Sequence, residues 1–279
     1  MSRTPPPGTP IGARRTARLL DDHGVVPRKR LGQNFIVDPN TIRMIVDKAQ
    51  LDPQDGVLEI GAGAGALTVA IAGAVRHVTA VEIDKRLAPV LQDVVGGLDN
   101  VDVVIGDAAA LDLTTWGATR MMGNLPYSVA TDLILHVLRG APAIRDLTVM
   151  VQKEVGERLT ARPGQKLYGK SCLEVRYFAR TNVVGRASRR AFLPVPNVDS
   201  VVVRLERRRE QPSVGGDQYL RIVQAAFSQR RKTMRNALAS IDFGRRDLEA
   251  ALVSAGIDKE ARPQEVGFEQ FIELAGQLT

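Results

Sequence analysis

Residues 57–67, reading Val-Leu-Glu-Ile-Gly-Ala-Gly-Ala-Gly-Ala-Leu, limit this chain more than any other stretch. Val57, Leu58 and Ile60 form a short apolar run with strand preference. Gly61, Gly63 and Gly65 turn the chain sharply, and residues 67–75 read as an apolar helix. Strand, glycine loop and helix together make a nucleotide-binding corner, because a backbone without Cβ atoms takes positive φ and comes close to a ligand. Gly61, Gly63 and Ala66 also fit the G-x-G-x-x-G/A dinucleotide fingerprint, and Glu82 stands about 20 residues on, where that fingerprint places a ribose-binding acid. On this stretch alone, NAD is an open possibility.

The pattern around the corner widens it into an α/β domain. Strands are expected over 56–60, 77–83, 101–106, 120–124 and 147–152, with helices over 67–75, 85–95 and 130–138. Such alternation implies a mostly parallel sheet covered on both faces, with ligands at the carboxyl ends of its strands. Gly61, Glu82, Asp107 and Asn124 all fall at or just past expected strand ends. Upstream, Asp38 followed by Pro39 reads as a helix N-cap with proline in the first turn. Downstream, residues 183–187 and 201–205 alternate like strands and frame a proline-rich loop at 192–196. Gly215 and Gly216 read as a linker before four helices. The expected organisation is a flexible basic extension over 1–27, an α/β core over 28–210, and a smaller helical domain over 211–279.

A chain of 279 residues with 44% hydrophobic content can bury a substantial core, which excludes global disorder. The formal charge of +7 suits a polyanionic partner. Cys172 is the single cysteine, so no internal disulfide or cysteine metal cluster is expected, and a cytoplasmic setting is the simplest reading. The proline-rich N-terminus lacks a signal-peptide pattern, and apolar runs of about ten residues are too short to cross a membrane.

Two acids follow successive strands downstream of the glycine loop. Glu82 can accept both ribose hydroxyls of an adenosine ligand, and Asp107 can accept from an adenine amine. The stretch Asn124-Leu125-Pro126-Tyr127 carries the next step. Pro126 pushes Leu125 into an extended conformation, so that the Asn124 side chain and the Leu125 carbonyl become two outward acceptors beside the Tyr127 ring. That grouping suits a planar base bearing an NH₂ group.

These motifs carry a resemblance. Gly-Gln-Asn-Phe at 32–35, Glu-Ile-Gly-Ala-Gly-Ala-Gly at 59–65, Val-Glu-Ile-Asp at 81–84, Gly-Asp-Ala at 106–108 and Asn-Leu-Pro-Tyr at 124–127 occur in one order. Phe-Leu-Pro-Val-Pro-Asn-Val-Asp-Ser at 192–200 and Gln-Arg-Arg-Lys-Thr-Met-Arg-Asn at 229–236 continue it. Together they resemble the small-subunit ribosomal RNA adenine N6,N6-dimethyltransferases, with Asn197 standing where many relatives carry a basic residue. The resemblance implies a Rossmann-like class I methyltransferase core with a C-terminal helical RNA-binding domain. It implies S-adenosylmethionine as cofactor, bound by Asn34, Ile36, Gly61, Glu82, Asp107 and Asn124, and no metal. It implies Asn124, Leu125, Pro126, Tyr127 and Phe192 at the reacting base, with Tyr127 and Phe192 stacking on it. The implied partner is small-subunit rRNA in an assembling 30S-type particle; oligomeric state is left open by the sequence, with a monomer as the default expectation and, from the short apolar runs, no membrane partner.

The basic runs Arg186, Arg189, Arg190, Arg207–Arg209 and Arg230–Lys232, with Arg235, are candidates for phosphate contacts. Three rival readings stand beside the leading one. A large-subunit rRNA methyltransferase is opposed by the 229–236 signature. A non-catalytic assembly or transcription factor is opposed by the intact Asn124 motif. An NAD-dependent dehydrogenase leaves the Asn124 and Phe192 motifs without a purpose.

Overall fold

The computed structural model describes residues 6, 8–126, 128–229, 231–239, 241, 243 and 247–278. The chain divides into two compact units, one of Met1–Gly156 with Thr181–Arg207, the other of Glu157–Arg180 with Arg208–Thr279.

The first unit begins with α1 (Ala13–Asp22), β1 (Phe35–Ile36) and α2 (Pro39–Ala49). The alternating α/β portion follows: β2 (Gly56–Ile60), α3 (Ala66–Ala72), β3 (His77–Glu82), α4 (Ala88–Val95), β4 (Val101–Ile105), β5 (Arg120–Asn124), α5 (Ala130–Gly140) and β6 (Asp146–Gln152). After α6 (Lys153–Thr160) and α7 (Lys170–Phe178), the chain supplies β7 (Ala179–Ala187), β8 (Phe192–Leu193) and β9 (Ser200–Arg207). Seven strands form one sheet in the order β4-β3-β2-β5-β6-β9-β7. β2 lies parallel to both β3 and β5, and β6 pairs antiparallel with β9. The chain therefore runs outward from β2 in one direction, then returns to β5 and runs outward in the other. The crevice between the β2 and β5 ends is the switch point at which open α/β sheets bind ligands.

Burial explains the sequence pattern. All five residues of β2 are buried, as an apolar run covered on both faces requires. All seven residues of α3 are buried too, so its apolar stripe runs all round the helix. Asp38 caps α2 by accepting the Thr41 N–H at 2.9 Å and the Thr41 hydroxyl at 2.6 Å, with Pro39 in the first turn. The five strands expected from 56 to 152 are present to within one residue of their ends, β9 extends the expected 201–205 by up to two residues, and β7 begins four residues before the expected 183.

The N-terminal extension departs from expectation where it is described. Ile11 is buried, and the Gly8 N–H donates to the Val69 carbonyl at 2.8 Å. α1 buries Thr16, Leu19 and Leu20, and His23 Nε2 lies 3.0 Å from the Asp93 carboxylate. Apolar residues that sequence reading placed in a flexible tail are part of the first unit's core.

The second unit holds α7, α8 (Gly216–Ser228), α9 (Met234–Leu238), α10 (Leu248–Ser254) and α11 (Phe268–Gln277). It also takes residues 157–180, which the sequence had assigned to the α/β core. The reason is its packing: Tyr168, Cys172, Leu173 and Tyr177 share a core with Tyr219, Phe271 and Leu274. Three buried phenols are satisfied by backbone carbonyls, Tyr168 on Val266, Tyr177 on Val214 and Tyr219 on Leu173. Gly216 opens α8, so the linker glycines end at its first turn. Cys172 is buried, its thiol 3.0 Å from the Gly169 carbonyl. No described helix is long and apolar enough to cross a membrane.

Candidate active site

The glycine loop has the backbone its composition requires. Gly61, Gly63 and Gly65 have φ of 82°, 58° and 79°. A Cβ on Gly65 would sit 2.8 Å from the Val94 side chain, so this glycine also permits the close approach of loop and α4. The Gly61 and Ala62 N–H groups both donate to the Val81 carbonyl, at 2.9 and 3.1 Å, which ties the loop to β3. The Glu82 carboxylate completes the tie: one oxygen accepts the Gly63 N–H at 2.8 Å and the other accepts the Asp84 N–H at 2.9 Å. Burial pushes the Glu82 carboxyl up, opposed by those two N–H donors. Asp84 goes the other way, to about 2, because the Arg86 guanidinium grips it, with the Gln33 amide adding a donor at 2.9 Å. Gln33 in turn accepts the Arg28 N–H at 2.7 Å, so the segment before β1 is laced to the end of β3.

A cavity of about 510 Å³ opens at the switch point, within the size range of small-molecule sites. Asn34, Ile36, Gly61, Glu82, Asp107 and Asn124 all line it, as does Pro126. Asn124 stands at the end of β5 with its side-chain nitrogen donating to the Asn34 carbonyl at 2.8 Å. With the nitrogen so engaged, its amide oxygen is the group free to accept. Leu125 is buried and its N–H donates to the Met150 carbonyl at 3.0 Å. Asp107 is exposed on the rim, one oxygen accepting the Ala109 N–H at 3.0 Å. Tyr127 lies outside the described residues.

Phe192 is not on the cavity wall. It is 3% exposed, belongs to the first unit's core, and pairs through β8 with Ile36 of β1. Proline-rich flanks suggested an exposed loop aromatic, but a two-residue strand pairing draws the ring inward. Phe192→Ala is therefore expected to cost about 3–5 kcal/mol of stability, the usual range for emptying a core aromatic. Urea unfolding measures it; a stability within about 0.5 kcal/mol of wild type would return Phe192 to the surface and to base stacking.

Sequence reading gave no role to three polar side chains of the cavity wall, Glu59, Asp132 and His136. Glu59, on β2, is 1% exposed, and His136, on α5, has a buried ring nitrogen with no hydrogen-bond partner. A carboxylate inside an otherwise apolar strand was the available signal for Glu59; His136 gave none. Taken together, the wall carries four carboxyl groups, Glu59, Glu82, Asp107 and Asp132, and neither lysine nor arginine. Such a wall favours an adenosine ligand carrying positive charge over a pyrophosphate-bearing dinucleotide. Among the described residues no cluster of His, Cys, Asp or Glu could hold a metal ion.

The sheet order, glycine loop and strand-end acids define a Rossmann-like class I methyltransferase. The chain belongs to the ribosomal RNA adenine dimethylase family, whose model matches residues 26–279. A Thermobifida fusca relative, ribosomal RNA small subunit methyltransferase A, is 43% identical over 96% of this chain and 94% of its own length. The Streptomyces coelicolor protein of the same name is 40% identical over 98% of each chain. Among solved structures, the 23S rRNA methyltransferase ErmE is 31% identical, with a TM-score of 0.72 over 88% of this chain and 99% of its own. A Plasmodium falciparum dimethyladenosine transferase shares the fold, with a TM-score of 0.75 at 24% identity over 85% of this chain and 94% of its own. The family's cofactor is S-adenosylmethionine, and the residues present fit it: a glycine cradle, a strand-end carboxylate and an acidic wall for a cationic ligand.

Proposed function

We infer that this chain transfers methyl groups to the N6 amines of two adjacent adenosines near the 3′ end of small-subunit rRNA. The observation that carries the reading is the Asn124 amide, whose nitrogen is engaged by Asn34 so that its oxygen is free to accept at the cavity. S-adenosylmethionine, when bound, supplies an electrophilic methyl on its sulfonium. Asn34, Ile36, Gly61, Glu82, Asp107 and Asn124 are the residues proposed to hold it, with Glu82 accepting from the ribose and Asp107 from the adenine amine.

The chain's task is then to make a poor nucleophile react. The lone pair of an adenine amine is delocalised into the ring. The Asn124 oxygen and Leu125 carbonyl accept its two hydrogens and favour a pyramidal nitrogen, which localises the lone pair for in-line attack. Pro126 fixes the turn that sets both acceptors. No side chain has to take the proton first, since nitrogen becomes acidic once it carries the new methyl. Tyr127 is proposed as the stacking face for the base, a contact worth about 1–3 kcal/mol.

The setting proposed is an assembling small-subunit particle in the cytoplasm, with the enzyme acting as a monomer. The test is mass spectrometry of small-subunit rRNA after treatment with enzyme and isotopically labelled cofactor. Two adjacent dimethyladenosines are expected; label in protein-free large-subunit rRNA alone would assign the chain to the other branch of the family.

The basic runs sort by what each arginine touches. Arg207 donates to the carbonyls of Ile144, Leu138 and Ala141, at 2.8, 2.8 and 3.1 Å, and so caps the end of α5. Arg208 donates to the Arg176 carbonyl and lies 4.5 Å over the Phe268 ring. These two are structural, against the expectation of phosphate contacts. Arg186, Arg189, Arg190, Arg209, Arg231 and Lys232 are exposed, and Arg230 lies outside the described residues. Arg235 pairs with Glu249 at 2.6 Å. Replacing Arg231 and Lys232 by glutamine is expected to weaken binding to the immature subunit and flatten its salt dependence by about one log–log unit for each phosphate no longer neutralised. Cofactor affinity should stay at the wild-type value. An unaltered slope in a binding titration between low and moderate salt would make this pair part of a solvated turn between α8 and α9.

A further inference from the structure

Residues 26–36 run from contacts just past the end of β3 to contacts at the end of β5, and the Gln33 side chain ties them down in between. The Gln33 amide nitrogen donates to the Asp84 carboxylate at 2.9 Å, and its oxygen accepts the Arg28 N–H at 2.7 Å. Asp84 is buried; the Arg86 Nε donates to its other oxygen at 3.0 Å, and Arg86 also donates to the Val26 carbonyl at 3.2 Å. With Arg86 holding the Asp84 carboxyl down at about 2, the anchor is ionised, and the hydrogen bond from Gln33 is charge-assisted. From Phe35 onward the segment is fixed separately, by the pairing of β1 with β8. Between the two fastenings lie contacts with the Asn124 motif. The Asn34 carbonyl accepts from the Asn124 side chain at 2.8 Å, and a Cβ on Gly32 would meet the Pro126 Cβ at 2.9 Å. Both chain neighbours of Gln33 therefore rest on that motif.

We propose that Gln33 is a positioning residue for methyl transfer: anchored on Asp84, it holds the Asn34 carbonyl where that carbonyl turns the Asn124 amide oxygen toward the target amine. The proposal rests on the amine-activation reading above. Gln33 stands on the cavity wall, yet both polar atoms of its side chain are used within the protein. Its action therefore runs through the backbone of the next residue rather than through a ligand. The Asn124 amide can present either its nitrogen or its oxygen to the cavity, and the Asn34 carbonyl selects the oxygen by accepting from the nitrogen. An Asn34 carbonyl free to drift loses that selection. Displacing a reacting group by about 1 Å costs on the order of 10²-fold in rate, so the loss of one side-chain tie is large enough to measure. Asn34 and Ile36 lie on the same segment and line the cavity, so cofactor affinity responds as well. The decisive readout is therefore the chemical step at saturating cofactor.

The test is single-turnover methylation at saturating S-adenosylmethionine and RNA in wild type, Gln33→Ala, Asn124→Ala and the double variant. Gln33→Ala is expected to slow the step by about ten-fold or more in the wild-type background. In the Asn124→Ala background the amide it positions is gone, and the same change is expected to cost less than about two-fold. A loss of equal size in both backgrounds overturns the proposal, because Gln33 then acts on something other than Asn124. An unchanged rate in Gln33→Ala overturns it too. A wild-type rate in Asn124→Ala is a different failure: it ends the amine-activation reading, and the proposal with it. Should Gln33→Ala not fold, Gln33→Met keeps the length of the side chain, removes both hydrogen bonds and is held to the same outcomes.

Discussion

Asn124→Ala is expected to leave a folded protein that engages RNA yet methylates about 10²–10³-fold more slowly, the range seen when one preorganised polar contact to a reacting group is removed. The amide is not a passive lining. Its nitrogen is fixed on the Asn34 carbonyl, which orients the oxygen, and its own backbone carbonyl faces the glycine loop, 3.4 Å from where a Cβ on Gly61 would stand. The acceptor strengthens its bond as the amine pyramidalises, so its loss falls on kcat more than on RNA affinity. Losing the tether also frees Asn34, which should add a smaller loss of cofactor affinity. Asn124→Asp is informative beside it, because an ionised carboxylate cannot donate to the Asn34 carbonyl and sets two acceptors against each other. Tyr127→Phe should retain most activity and Tyr127→Ala little, since a ring face is the proposed contribution. Single-turnover methylation at saturating cofactor and RNA separates these cases. A wild-type rate in Asn124→Ala would end the amine-activation mechanism, even for a proven methyltransferase.

What the sequence revealed and what it hid follow from range. Strands β2, β3 and β5 were legible because central parallel strands read as apolar runs, and the glycine loop because positive φ at three alternating positions leaves a compositional trace. Asp38 announced its helix because an N-cap is a local hydrogen bond. The failures are non-local. Residues 157–180 join the second unit because Tyr168 and Tyr177 find partners nearly a hundred and some forty residues onward. Arg207 looked like one of three equal arginines, and only the fold brings it to three carbonyls of α5 and the loop after it. Phe192 was read as exposed because β1 and β8 contribute two residues each, too few for any periodicity to show. Glu59 is the intermediate case: its place in an apolar run was visible, but its burial at the cavity wall was not.

The same distinction shapes what Glu82 should do. Glu82→Ala is expected to weaken S-adenosylmethionine binding by about two orders of magnitude or more, with little direct effect on RNA affinity. Two losses combine. A carboxylate accepting from ribose hydroxyls contributes about 1.5–3 kcal/mol per charged hydrogen bond. The carboxylate also holds the Gly63 and Asp84 N–H groups, so its removal loosens the loop that must already be in place when cofactor arrives. Glu82→Gln separates the two, since its single oxygen can hold one N–H while its nitrogen meets the other as a second donor; an affinity between wild type and alanine is expected. The pH response has a definite sign. Burial raises the Glu82 carboxyl, so the folded site takes up a proton at a higher pH than an exposed glutamate, and its acceptor form is lost on acidification from that higher pH downward. Cofactor affinity should therefore fall on acidification before an ordinary carboxylate would titrate, and Glu82→Gln should remove that component of the fall. Titration of S-adenosylmethionine and of RNA separately, each across pH, measures both claims. Unchanged cofactor affinity in Glu82→Ala would remove this residue from the ribose site and leave it as a brace for the glycine loop alone.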